Sequence, residues 1–200
     1  MHTNIITTYN NRDFNEAQGL INKAFRRTQQ IPNLVFNEKF NQFFFEEFDW
    51  AMTPEFWNTI QRLALASNDT DIFLTVLDPD PINYFFDNFG YYNSMKLPVN
   101  ITGKDYENIL QTGPKDSPAD AVLYNSEVIV WLPVSMKWAI WGERSCGICI
   151  LAFTKDSNLK TPEGRWQSVH EALKDLIAVD FREKKIPKEF ADSLIENYSK

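Results

Sequence analysis

Two cysteines stand three apart in Cys146-Gly147-Ile148-Cys149, the spacing at which a redox pair stabilises a thiolate. The motif runs into Ile150-Leu151-Ala152-Phe153, a strand pattern, and cysteines three apart on a strand point to opposite faces. Zinc would need about two further ligands, and the only histidines are His2 and His170. A nucleophile–histidine pair would have to use His170, which sits between Val169 and Glu171 in a helical stretch, without a nucleophile-elbow glycine pattern. Carboxylate pairs at Glu46-Glu47 and Asp78/Asp80 have the chemistry for acid–base work, but acids beside capping positions already have a structural use. The seven glycines form neither a G-x-G-x-x-G nor a Walker arrangement. The expectation is therefore no metal, no cofactor and no assigned catalytic residue. A small-enzyme reading keeps Glu143, Arg144 and His170 as its acid–base set.

The most unusual segment runs from Trp131 to Arg144, with three tryptophans followed by an acid–base pair. Tryptophan and arginine are the usual anchors of protein interfaces. On a strand from Trp138, the residues Trp138, Ile140, Gly142 and Arg144 share one face, and Ala139, Trp141 and Glu143 share the other. Either both faces are covered, with Glu143 or Arg144 paired internally, or Trp141, Glu143 and Arg144 form a partly exposed patch at a sheet edge.

The elements that position these residues follow from periodicity. Ala17, Leu20, Ile21, Ala24 and Phe25 space out an amphipathic first helix that ends before Ile31-Pro32. From Phe36 to Trp50 a helical projection puts Phe36, Phe40, Phe43, Phe44 and Trp50 on one stripe, with Phe45 nearly opposite, packed elsewhere or exposed. Thr53-Pro54-Glu55 starts a helix that runs to about Ala66, and Ile72 to Leu77 is a strand covered on both faces. Asp80 caps a short helix that opens at Pro81 and closes at Gly90, and Thr102 with Asp105 forms a capping box. Three segments, Ala121 to Leu132, Trp138 to Arg144 and Ile148 to Phe153, read as a meandering antiparallel sheet. Thr161-Pro162-Glu163 starts a helix carrying Trp166, Val169, Leu173, Leu176 and Ile177, and a last helix runs from about Pro187 to Tyr198. This order predicts one α+β domain with helices packed on a mainly antiparallel sheet. It has a helical acidic part at about 13–113, a β-rich part at about 120–155 and C-terminal helices at about 161–198.

Charge bounds the partners. Over 200 residues, 27 acids against 20 bases give −7, which disfavours nucleic acid as a partner. Between Asn41 and Met95 lie nine acids, Arg62 as the one base, and nine of the 16 phenylalanines. If the acids Glu46, Glu47, Asp49, Asp78, Asp80 and Asp87 surround exposed rings, this stretch docks a basic protein partner. The bland alternative is a packed unit with a solvated acidic rim. No apolar run approaches the roughly 20 residues of a bilayer crossing, and the start of the chain lacks a secretory pattern. The expectation is a cytoplasmic protein with no membrane partner.

The acidic balance, the aromatic density and the strand Trp138-Ala139-Ile140-Trp141-Gly142-Glu143-Arg144 together resemble small bacterial immunity proteins of toxin–immunity pairs. The likeness covers about the half from Asp71 to Phe153 and transfers no individual site residue. It implies a non-catalytic protein that binds a cognate toxin domain and blocks its active site or docking surface. In that reading Glu46 to Asp87 steer association, and Phe45 and Trp141 serve as anchors. An accessory or scaffold domain that self-associates through the Trp131-to-Arg144 strand edge is a third reading.

Overall fold

A computed structural model describes residues 11–161, 164–181, 183 and 185–199. Helix α1 (Asn11–Ala24) buries Phe14, Ala17, Ile21 and Ala24, one apolar stripe at helical spacing. The stretch after it corrects the expectation of a helix from Phe36 to Trp50: it forms strand β1 (Phe40–Glu47) and one helical turn, α2 (Phe48–Ala51). Consecutive aromatic residues fit a period of two as well as 3.6, and pairing decides between them. Phe43 and Phe45 pack into one core layer while Phe44 packs against the other. The backbone of β1 is matched residue by residue from Gln42↔Phe153 to Glu47↔Ile148.

Helix α3 (Pro54–Ser67) begins at its proline. The Thr53 hydroxyl donates to the Trp50 carbonyl (2.7 Å) and caps nothing. Strand β2 (Asp71–Asp78) follows, then a π-helical turn (Pro81–Phe86) running into α4 (Asp87–Phe89). Asp80 caps this excursion as expected, its Oδ1 accepting from the backbone of Ile82 (2.8 Å) and Asn83 (2.7 Å). Strand β3 (Ser94–Pro98) was not anticipated. Helix α5 (Gly103–Gln111) carries the Thr102–Asp105 capping box. Three strands, β4 (Val128–Pro133), β5 (Trp138–Glu143) and β6 (Ile148–Thr154), complete the sheet, and the residues before Val128 form turns rather than the start of a strand. Helix α6 (Val169–Asp175) opens on a capping box of Ser168 with Glu171, later than expected. Residues 162 and 163 of the expected start lie outside the described residues, and Trp166 precedes the helix. Helix α7 (Lys188–Tyr198) packs last.

The described residues form a six-stranded sheet in the order β1-β6-β5-β4-β2-β3, every neighbouring pair antiparallel. Residues of α2, α3 and α5 share one core layer with Trp131, Trp138 and Ile140, and residues of α1, α6 and α7 share the other with Ala139 and Trp141. The protein is thus an α+β domain with its antiparallel sheet covered on both faces. Strand β5 lies inside the sheet between β6 and β4, which removes the expected exposed edge from Trp131 to Arg144. All three tryptophans are buried, and each indole N–H donates: Trp131 to Tyr106 Oη (3.2 Å), Trp138 to Ser67 Oγ (3.1 Å), Trp141 to Glu143 Oε2 (3.1 Å). Satisfied in this way, each ring stabilises the fold by about 2–3 kcal/mol through burial. Gly142 packs closely: a Cβ there would meet Cys149 Sγ at 3.0 Å and the Phe48 ring at 3.2 Å, so these neighbours would have to give by a few tenths of an ångström.

Candidate partner-binding surface

Strand register brings the singled-out residues to one end of the sheet. A single row across it reads Glu47, Ile148, Glu143, Val128, Asp78. Asp49, Arg144, Glu127 and Asp80 lie one or two residues beyond that row in the chain. Four chain segments therefore contribute charge to one rim, although Glu46 and Asp80 are about 34 positions apart in sequence and β1 and β2 are not neighbours in the sheet.

Accessibility divides the residues. Glu47, Asp49 and Asp78 are exposed at the rim, and Asp87 is exposed on the excursion. Phe45 is fully buried, edge-on to Tyr198 with ring centroids 5.7 Å apart, and its backbone exchanges two 2.8 Å hydrogen bonds with Gln167. Trp141 is 2% exposed and tilts against Phe25 at 5.5 Å. Both rings are core, which corrects their expected use as exposed anchors. Glu46 is buried too: its Oε1 accepts from the Glu47 amide (2.9 Å) and its Oε2 from Arg165 Nε (3.2 Å), while Arg165 Nη2 reaches Glu47 (2.9 Å). Burial raises the Glu46 carboxyl above its ordinary range, against the pull of these donors.

Glu143 and Arg144 also face inward in function. Glu143 Oε2 accepts from Trp141 Nε1 (3.1 Å) and from the Ile31 amide (3.2 Å), and Cys146 Sγ lies 3.5 Å from Oε1. It fastens the loop after α1 to the end of β5. The Arg144 guanidinium donates to the carbonyls of Ser126 and Leu123 (both 3.0 Å) and to Ser126 Oγ (3.1 Å), lying 4.6 Å from the Phe48 ring centroid. These bonds commit it to holding the turn before β4. His170 stands exposed on α6, and among the described residues no hydrogen bond or ion pair joins it to Glu143 or Arg144, so the acid–base set of the enzyme reading is not assembled.

The cysteines follow the same logic. Cys149 is buried in one core layer and Cys146, in a turn after β5, packs against the other. Burial, reinforced by the Glu143 carboxylate, pushes the Cys146 thiol up to about 12, and burial raises Cys149 well above the usual range. A thiolate nucleophile is disfavoured at both positions. Among the described residues no group of three His, Cys, Asp or Glu side chains could hold a metal ion, and no helix is long and apolar enough to cross a membrane.

Two grooves open at the rim. One of about 250 Å³ is lined by Arg27, Gln29, Leu77, Asp78, Asp80 and Trp141. The other, about 320 Å³, is lined by Glu47, Asp49, Arg144, Asp175 and Val179, among others. Beside the first rises the 81–89 excursion, which exposes rings that sequence reasoning missed: Tyr84 and Phe86, with Ile82 next to them and Tyr124 on the turn opposite. A signal was present. Ile82, Tyr84, Phe85, Phe86 and Phe89 crowd five large apolar side chains into nine residues, more than one buried stripe of so short a helix accommodates.

Compared with protein-family models, with curated proteins and with solved structures, the chain matches none. At the rim the exposed groups include carboxylates, the Arg165 and Arg27 guanidinium groups and aromatic rings, and the buried ones fasten loops.

Proposed function

We propose that the chain is a non-catalytic protein-binding protein that neutralises a basic toxin domain, an immunity protein in kind. The observation that carries the reading is the convergence of Glu47, Asp49, Asp78 and Asp80 on one sheet end, where the chain leaves β2 for an excursion that exposes rings and carries Asp87. A structural need for this clustering is hard to find, because like charges so gathered repel one another. A basic partner converts that repulsion into fast and selective association. The resemblance of the acidic, tryptophan-rich half to immunity proteins points the same way.

The test is capture of partners by the tagged chain from its native cells at low salt, followed by a salt ramp, with Asp78→Lys/Asp87→Lys run in parallel. These two acids are chosen because their carboxylates are exposed, whereas that of Asp80 caps the excursion. One basic protein that elutes with salt from the wild type, is missing from the variant, and has a toxic activity abolished by the wild-type chain supports the reading. A partner indifferent to both salt and charge reversal refutes it.

A further inference from the structure

We infer that the outer surface of the 81–89 excursion, with the turn at Tyr124, is the docking site for a protein segment in which arginine or lysine side chains alternate with aliphatic or aromatic ones. The inference rests on the reading above and names which part of the rim makes the contact. Exposure is the first ground: Ile82, Tyr84, Phe86 and Tyr124 are 48%, 37%, 39% and 64% exposed. Four-residue spacing sets Ile82 and Phe86 on one flank and Tyr84 on the other, with Asn83 and Asp87 along the crest between them.

Rigidity is the second ground. Phe86 stacks on Tyr92 (4.6 Å, 10° between planes) and Tyr92 stacks on the buried Phe14 of α1 (3.8 Å, 3°), so the exposed ring is the last of three. Tyr92 is itself fixed by donating to Asn11 Oδ1 (2.9 Å). On the other flank the Tyr84 hydroxyl donates to Asp120 Oδ1 (2.8 Å), and Asp120 is held in turn by Ser117 and Asn125 (both 2.5 Å). Beneath, the buried Phe85 meets Tyr84 edge-on at 5.1 Å. Rings fixed from behind lose little freedom when a partner covers them, which is the economy of a pre-organised site.

Charge selects the occupant. Asp78 to Met95 contains three acids and no base, and 118–127 contains two acids with the Arg144 guanidinium bonded to Leu123 and Ser126, so acids outnumber bases across the surface. Nucleic acid and anionic lipid are repelled by this field. A second copy of the same face is repelled as well, so the occupant is a cationic segment of another protein whose apolar side chains cover the rings.

The direct test is a titration of the isotopically labelled full chain, followed by amide chemical shifts, with three synthetic peptides of equal length: alternating Arg–Leu, alternating Arg–Ser and alternating Glu–Leu. Shifts from the Arg–Leu peptide are expected to concentrate at residues 80–92 and 120–127. Affinity is expected to fall about tenfold for the Arg–Ser peptide and for Ile82→Ser/Phe86→Ser, the scale of losing a buried hot-spot ring. The single variant Tyr124→Ser, at the most exposed ring, serves as the second probe should the double variant not fold. Shifts centred instead on 47–49 and 144–147, unchanged affinity in the variants, equal binding of the Glu–Leu peptide, or no binding would each overturn the site. Retention of a salt-eluted, capture-identified toxin by Ile82→Ser/Phe86→Ser would overturn the site while leaving the immunity reading intact.

Discussion

Glu143 brings a carboxylate into a nearly closed environment where its bonded neighbours are an indole, a backbone amide and a thiol, none of them a cation. Burial raises its pKa although these three donors pull the other way, and the Glu127 charge adds to the rise. Its folded value lies above its unfolded one, so the native state favours the proton. The stabilising contribution of this site is present at low pH and is lost as pH rises through the folded value. Glu143→Gln keeps an oxygen for the Trp141 and Ile31 donors and removes the buried charge. Urea titrations should find it about 1 kcal/mol more stable than the wild type at mildly alkaline pH, with the gap closing in mild acid. Glu143→Ala leaves both donors orphaned and should cost about 2–4 kcal/mol. The thiols supply a second check at this scale. With Cys146 pushed up to about 12 and Cys149 higher than usual, a colorimetric thiol reagent should label the native chain slowly and both thiols only on unfolding. Fast labelling of one thiol in the native state would contradict the inert role given to them.

Element by element, the capping residues differ in a way that mutation can read. Thr102 and Ser168 accept from backbone amides in complete capping boxes, while Thr53 spends its hydroxyl on the Trp50 carbonyl. Thr102→Ala and Ser168→Ala should each cost about 1 kcal/mol in urea unfolding, with a smaller cap-related loss for Thr53→Ala. The partner acids Asp105 and Glu171 are held below their ordinary range by the hydrogen bonds of these boxes. Their contribution is therefore present above the unfolded carboxylate range and fades as pH falls through the lowered folded values. The Thr102 box was legible because its chemistry is local, a hydroxyl and an acid three residues apart, whereas the Ser168 box was missed for an earlier Thr-Pro-Glu start and the Thr53 hydroxyl turned to a carbonyl instead of capping. Strand β1 was not legible as a strand. The run Phe43-Phe44-Phe45 is apolar at every position, so its pairing with β6, more than 100 residues away, decides its conformation. The same limit hid β3, a short strand ending in proline, and the burial of Phe45, whose cover comes from α7. Alternation on β5 was correctly read, since Trp138 and Trp141 do take opposite faces, but whether those faces were covered depended on helices elsewhere in the chain.

Across the whole molecule, sheet register brings acids scattered from Glu46 to Asp80 to one rim. The sequence showed their number and sign but not their convergence, which depends on the strand order. The rim divides labour: Glu46, Glu143 and Arg144 hold structure, while Glu47, Asp49 and Asp78 face solvent, as does Asp87 on the excursion. Neutralising two of the exposed acids, as in Asp78→Asn/Asp87→Asn, should leave stability within about 0.5 kcal/mol of the wild type, since among the described residues their carboxylates hold no hydrogen bond or ion pair that the change would break. The measurement that bears most directly on the proposed function is the association rate of the chain with the basic partner it captures, as a function of ionic strength, for the wild type and for Asp78→Lys/Asp87→Lys. The account predicts a wild-type rate that falls steeply with added salt and a variant slower by about tenfold or more at low salt. Equal rates for the two proteins, flat across ionic strength, would contradict it.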